Sequence, residues 1–161
     1  MRRHGLIAGL VLLVCVAGFG TAPAAAAGSN VGSGTWELGV ILGEPTGLSA
    51  KYWLSSVNAV DFGAAWSFEE DGNLHLHCDY LFHNYEIFKV DEGSLPLYFG
   101  IGGRVRFDDD DARVGLRLVL GLEYLAAAYP MGLFFEVAPI VDFAPETEAD
   151  INGGLGIRYV F

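Results

Sequence analysis

The sequence predicts an all-β fold, an eight-stranded antiparallel up-and-down transmembrane β-barrel, from three observations. Apolar and polar residues alternate along eight segments of similar length, as they do in strands whose successive side chains point to opposite faces. One face of each segment is bulky and apolar, while the other is small or charged. The period of a helix is hard to find after the N-terminal stretch.

That N-terminal stretch is predicted to be a signal peptide over residues 1–27 rather than part of the fold. A basic start precedes the apolar run 6–19, which is shorter than the roughly 20 residues that a membrane-spanning helix needs. The small residues of 21–27 are typical of a cleavage site. We therefore expect an exported protein, with a linker over 28–34 and one barrel domain over 35–161.

The exported chain is strongly acidic. Removing Arg2 and Arg3 from the nine basic residues leaves seven, against 20 acidic ones. This balance argues against nucleic acid as a partner, because phosphates demand a basic surface. Cys78 is the one cysteine that remains, so no intramolecular disulfide can staple the exported domain. We expect no cofactor.

The alternation is cleanest between Arg113 and Tyr124, where every even position is large and apolar and the odd positions carry the charges and glycines. Seven further segments repeat the pattern: 35–43, 47–54, 59–68, 73–83, 96–107, 131–143 and 149–161. Turn-type residues separate them. The longest connection, 84–94, contains Ile87 and Phe88, so we expect it to extend the flanking strands or to cap the barrel.

The apolar face is predicted to point outward, because an eight-stranded barrel has an interior just wide enough for side chains to fill. The bulky aromatic residues would not fit there, whereas the small residues of the polar faces would. The charges of the polar faces nearly cancel, as buried charges must. The predicted interior charge network consists of Glu37, Lys51, Asp61, Asp79, Arg104, Arg106, Arg117, Glu123, Glu136, Asp142 and Arg158.

The outward aromatic residues are predicted to collect at two rims, with an aliphatic band between them. One rim gathers Trp36, Tyr52, Tyr80, Phe82, Phe99, Tyr124, Phe135, Tyr159 and Phe161, and the other gathers Trp66, Phe68, Phe107 and Phe143. Two aromatic girdles around an aliphatic band are typical of a lipid-facing surface. In lipid only helices and closed barrels satisfy the backbone, so we expect the barrel to be closed.

The C-terminus carries a resemblance to known proteins. Phe161 is terminal, Tyr159 stands two residues earlier and Gly156 three before that. This pattern resembles the sorting signal of bacterial outer-membrane barrels, although the usual polar residue is missing at Gly154. The resemblance implies an integral protein of a Gram-negative outer membrane, recognised by the barrel-assembly machinery through its C-terminal strand.

Across all eight strands, the exported chain resembles the small OmpX and OmpA-transmembrane class. The motifs over 43–53, 79–83 and 97–102 are more narrowly similar to a family of uncharacterised small outer-membrane barrels first noted in spirochaetes. The resemblance implies a fold and a location. It implies no established activity, because a fold alone does not give a function.

Two sets of residues are candidate metal ligands, and each also has a simpler interpretation. His75, His77 and Asp79 share one face of one strand, where alternate positions can ligate one ion, but an interior hydrogen-bonded network explains them as well. The run Asp108, Asp109, Asp110, Asp111 lies on the rim opposite the termini, where carboxylates could bind a divalent cation or a basic partner. Solvated, mutually repelling loops are the favoured interpretation there.

One set of residues is a candidate catalytic site, and it too has a simpler interpretation. Ser67, His75 and Asp142 are predicted to point inward near one end, where a nucleophile, a base and an orienting acid could assemble. The spacing matches no known motif, so interior packing is favoured. We therefore expect a structural or surface-interaction protein of the outer membrane, in contact with its lipid and without an open pore. The alternatives are a lipid-modifying enzyme and a narrow pore.

Overall fold

A computed structural model describes residues 31–44, 46–66, 74–107 and 112–161, which form a closed antiparallel barrel of eight strands. The strands are β1 (Trp36–Glu44), β2 (Thr46–Trp53), β3 (Asn58–Trp66), β4 (Leu74–Asn84), β5 (Leu97–Phe107), β6 (Ala112–Leu125), β7 (Met131–Ala144) and β8 (Glu148–Val160). Each strand pairs with the next, and β8 pairs with β1. The predicted fold class and strand positions are confirmed, with strand ends within about two residues of those expected. In the described ranges, no helix is long and apolar enough to span a membrane.

The alternation places the apolar face outside, as the volume argument predicts. In β6, Leu116, Leu118 and Leu120 are about half-exposed, whereas Arg117 is 1 % exposed and Gly115 is buried. The same arrangement holds around the barrel, because aliphatic side chains of every strand except β3 are exposed on the outer surface. Val119 departs from the pattern of charges and glycines at odd positions, since it is an apolar residue of the interior.

Outward aromatic residues contact one another at the end of the barrel that carries both termini, which we call the terminal end. The ring centroids of Phe82 and Phe99 lie 5.5 Å apart, and those of Tyr159 and Phe161 lie 4.8 Å apart. At the far end, Phe107 and Phe143 are exposed. Phe68 lies outside the described residues. Both rims therefore carry outward aromatic side chains.

Three large rings inside the barrel each lie over a glycine that is their direct cross-strand partner. The pairs are His77 with Gly63, Tyr98 with Gly121, and Phe134 with Gly156. A Cβ atom added at the glycine would lie 2.0 to 2.3 Å from the nearest ring atom in each pair. Because glycine has no side chain, each of these positions leaves space for an aromatic ring in the narrow interior.

The pairing of Tyr98 with Gly121 predicts a specific loss of stability. We expect Gly121→Ala to destabilise the barrel by about 1–3 kcal/mol, the usual range for overpacking, because its Cβ would also lie 2.6 Å from the Phe135 carbonyl oxygen. Gly103→Ala is the matched control, since its Cβ would have its nearest neighbour at 3.6 Å. Urea unfolding in detergent micelles measures both, and equal midpoints would contradict the ring-over-glycine packing.

The terminal end is closed by residues that precede β1. Val31 packs in a buried apolar cluster with Trp53, Ala59 and Leu125. The segment is held by backbone hydrogen bonds, from Gly34 N to Trp53 O at 2.9 Å and from Trp53 N to Thr35 O at 2.9 Å. The mouth of the barrel at this end is therefore filled by apolar side chains.

The long connection between β4 and β5 partly extends the flanking strands, which is one of its two expected roles. Ser94 and Leu125 exchange two backbone hydrogen bonds, at 3.0 and 2.8 Å, beyond the end of the β5–β6 pairing. On the other side, His83 N donates to Val57 O at 2.7 Å. The remainder of the connection, 86–92, is exposed.

Candidate functional site in the barrel interior

The charged residues of the interior form three sets along the barrel axis. The terminal-end set contains Glu37, Lys51, Asp61, Glu123 and Arg158; the middle set contains Asp79, Arg117 and Glu136; the far-end set contains Arg104, Arg106, Asp142 and Asp150. Period-two alternation brings these residues to the inner face, and closure of the barrel brings side chains from non-neighbouring strands within reach of one another across the lumen.

Arg158 is the centre of the terminal-end set. From β8 its guanidinium reaches Ser49 Oγ on β2 at 2.9 Å, Asp61 Oδ2 on β3 at 2.6 Å and Glu123 Oε1 on β6 at 3.2 Å. Lys51 Nζ lies 2.5 Å from the other oxygen of Glu123. The planar fork of arginine suits such multiple contacts, so one side chain ties four strands together.

Aromatic rings surround this set. Trp53 Nε1 donates to Glu37 Oε1 at 2.6 Å, and the Trp53 and His83 rings lie 4.3 Å apart. Lys51 Nζ lies 5.2 Å from the Trp53 ring centroid and 5.1 Å from that of Tyr98, within the range of a cation–π interaction. The ion pairs are therefore enclosed by rings and withdrawn from water.

The middle set links β4, β6 and β7. Arg117 Nε lies 3.1 Å from Asp79 Oδ2, and its NH2 group binds Glu136. Tyr98 donates its hydroxyl hydrogen to Glu136 Oε2 at 3.1 Å. His77 lies between this set and the terminal-end set, because its Nε2 is 3.7 Å from Asp61 Oδ1 and 4.0 Å from Asp79 Oδ2.

The far-end set joins β5 to β7 and β8. Arg104 forms a two-pronged pair with Asp142, from Nε to Oδ1 at 3.0 Å and from NH2 to Oδ2 at 2.5 Å. Its third nitrogen lies 2.7 Å from Asp150 Oδ2, and Arg106 NH1 lies 3.8 Å from the same oxygen. A Cβ at Gly115 would lie 2.1 Å from Asp142 Oδ1, so this glycine makes room for the pair.

Of the three candidate catalytic residues, the structure describes His75 and Asp142. Ser67 lies outside the described residues. Both oxygens of Asp142 are bound by Arg104, and His75 packs its ring edge-on against His77 at 5.5 Å. Asp142 is therefore committed to an ion pair instead of orienting His75.

The candidate metal ligands are likewise committed elsewhere. Asp79 binds Arg117, and His77 lies over Gly63 beside Asp61. Within the described ranges, no group of three or more His, Cys, Asp or Glu residues could hold a metal ion. The acidic run 108–111 lies outside these ranges.

The residues of the candidate sorting signal lie in the seam between β8 and β1. Tyr159 is 50 % and Phe161 43 % exposed on the outer surface, and Phe161 N donates to Trp36 O at 2.8 Å. Gly156 faces inward beneath the Phe134 ring. The two aromatic residues of the signal are thus outward and the glycine is a packing residue.

Trp53, His83, Tyr98 and Phe134 are interior residues that the sequence reasoning left out. A signal for Trp53 was present, because it continues the inward alternation of Ser49 and Lys51. The same alternation puts Tyr98 in step with Arg104 and Phe134 in step with Glu136. The glycine that faces each ring requires the strand register, which alternation within one strand does not supply.

The fold and interior together define the class of this protein, a closed eight-stranded antiparallel barrel that is apolar outside and charged inside. The N-terminal β-barrel domain of OprF from Pseudomonas aeruginosa is a similar solved structure, with a TM-score of 0.66, 14 % sequence identity, and coverage of 81 % of this chain and 100 % of that one. At this identity the likeness shows the fold. No family model and no curated protein matches the chain.

Proposed function

We propose that this chain is an integral protein of a bacterial outer membrane, with a structural or surface-interaction role and no open pore. The observation that carries the proposal is the outward apolar surface: Leu42 is 65 %, Leu155 64 % and Ile151 64 % exposed, and they belong to a band that surrounds the barrel. Soluble monomers rarely expose contiguous apolar patches larger than a few hundred Å². A band of this kind is stable in lipid, where closed barrels satisfy the backbone.

The filled interior supports the absence of a pore. Lys51 is 0 % exposed, and Arg104, Arg117 and Arg158 are each 1 % exposed. The long side chains cross the lumen to acids on other strands, and Val31 and Trp53 close the terminal end. Eight strands leave an interior that side chains fill, and this supports a structural protein rather than a channel.

The finer assignments follow from the sequence resemblance. Within this proposal the chain is a member of the OmpX and OmpA-transmembrane type or of the barrel family first noted in spirochaetes, and Gly156, Tyr159 and Phe161 are read by the assembly machinery. The acidic loops, including 108–111, face the outside of the cell, where a divalent cation or a basic partner would meet them. Within this proposal the role is structural rather than enzymatic, and the ion pair of Asp142 with Arg104 supports it, because it occupies the acid of the candidate catalytic set.

Conductance tests the closed interior. In planar lipid bilayers we expect the purified barrel to produce no stepwise current, since the ion-paired side chains of the described strands occupy the interior. A 16-stranded porin, which does leave an aqueous channel, is the positive control in the same membrane. Discrete steps whose number rises with the amount of barrel would refute the closed interior and favour the narrow pore.

A further inference from the structure

The terminal end of the barrel exposes apolar side chains beyond the last paired residues. In the connection between β4 and β5, Ile87 is 52 %, Phe88 42 % and Val90 40 % exposed. We call these three residues the rim triad. Single exposed apolar residues are ordinary, but three within four positions form a patch of the kind that marks a contact surface.

Both ends of this connection are fixed to the barrel. At its start, the Tyr85 hydroxyl is buried, and burial, together with the negative charges of Glu123 and Glu37, raises the pKa of Tyr85. At its end, Ser94 is paired with Leu125. The connection therefore leaves the barrel mouth and returns to it within a few residues, which keeps the rim triad close to the barrel wall.

The returning half of the connection lies against the outward apolar surface. The Tyr124 hydroxyl donates to the Glu92 carbonyl oxygen at 3.3 Å. Leu95 lines an outward groove of about 530 Å³ together with Leu122, Tyr124 and Phe135. The surface that we propose to face lipid thus continues from the strands onto the connection that carries the rim triad.

The charges beside the rim triad limit how deeply it could enter lipid. Lys89 Nζ lies 2.8 Å from Glu86 Oε2, and both side chains are largely exposed. Asp91 and Glu92 follow directly and are exposed as well. Charged side chains are costly in the hydrocarbon centre, but a lysine can keep its head in water while its stem lies along apolar surface. This pattern suits the headgroup region.

We propose that the rim triad inserts among the lipid headgroups of the leaflet at the terminal end and so anchors the barrel mouth at the membrane interface. The inference rests on the proposed membrane location. Interfacial apolar side chains enter the boundary between headgroups and acyl chains by about 5–10 Å. The long connection, unusual where turns are ordinarily short, then serves as an interfacial anchor.

Spin labels on single cysteines test this placement in phosphatidylethanolamine and phosphatidylglycerol vesicles. In a Cys78→Ser background, labels are introduced by Ile87→Cys, Phe88→Cys, Asp91→Cys and Leu118→Cys, and folding of each variant is checked by heat-modifiable migration in SDS. Collision rates with oxygen, which enriches in lipid, and with a water-soluble nickel complex are measured. Asp91→Cys is the water reference, and Leu118→Cys, in the middle of β6, is the lipid reference.

We expect the labels at 87 and 88 to show a several-fold loss of nickel collisions relative to position 91, with oxygen collisions between those of positions 91 and 118. Nickel collisions equal to those at 91, with position 118 shielded, would overturn the anchor and leave the membrane location standing. Nickel access at 118 would overturn the membrane location itself. Shielding at 87 and 88 that disappears when the protein is diluted in lipid would assign the triad to a second copy and overturn the lipid contact.

Discussion

Arg158→Met is expected to destabilise the folded barrel by about 3–5 kcal/mol, the range for removing one partner of a buried ion pair. Arg158 is the shared partner of Asp61 and Glu123, which are both buried. Methionine keeps much of the side chain's length but lacks the guanidinium carbon, which lies 3.6 Å from the centroid of the Phe134 ring. The main loss comes from Asp61 and Glu123, whose remaining nearby strong cation is Lys51. Urea unfolding in detergent micelles measures it.

Two further variants decide whether charge is the cause. Lys89→Met removes the exposed pair with Glu86 and should change stability by less than about 1 kcal/mol. Asp61→Asn in the Arg158→Met background should recover part of the loss, because it removes one of the uncompensated charges. A single Arg158→Met variant as stable as the parent, or a double variant with no recovery, would contradict the proposed role of the terminal-end set.

Strand positions and the direction of each face followed from the sequence because both depend on one local property, period-two alternation. In β6, the charges at Arg117 and Glu123 are enough to fix the inward face, and Leu118 and Leu120 then point outward. The volume of an eight-stranded interior decided which face is inside. Neither step requires knowledge of how strands pair.

The contents of the interior depended on pairing, and there the sequence was insufficient. The sequence reasoning assigned Trp53, Tyr98 and Phe134 to neither face, and all three are buried in the interior. The last two fit because Gly121 and Gly156 face them across the strand pair. Contacts across the lumen, such as Arg104 with Asp150, depend on the stagger of all eight strands. The charged set could be named from the sequence, but its partners could not.

The contrast between an apolar outer face and a charged interior bears on where the barrel obtains its stability. In the membrane that we propose for this barrel, the outward residues gain little from contact with each other, since lipid tails are as apolar as leucine. Specificity must then come from the backbone ladder and from the interior. Arg158 and Arg104 each join strands that are not neighbours in the sheet, so they favour the closed barrel over an open sheet of the same strands.

Leu118→Arg is expected to cost about 2–4 kcal/mol when the barrel is folded in lipid vesicles, the range for an arginine near the bilayer midplane. Leu118 is 50 % exposed and lies in the middle of β6 with no interior role. On a protein surrounded by water, the same substitution at an exposed site would change stability by about 0.5 kcal/mol or less. The size of the effect therefore distinguishes lipid from water as the solvent of the outer surface.

Ala127→Arg is the matched control, because Ala127 is exposed in the connection between β6 and β7, outside the strands. We expect its unfolding free energy in vesicles to stay within about 0.5 kcal/mol of the parent. Leu42 lies near the end of β1 toward the far rim. The free-energy cost of Leu42→Arg should fall between those of Leu118→Arg and Ala127→Arg, since the penalty declines to about 0–1 kcal/mol near the interfaces. Equal stabilities at 42, 118 and 127 would mean that the apolar band meets no hydrocarbon. A graded series would place Leu118 deeper in the bilayer than Leu42, because the penalty for arginine rises from the interface toward the midplane.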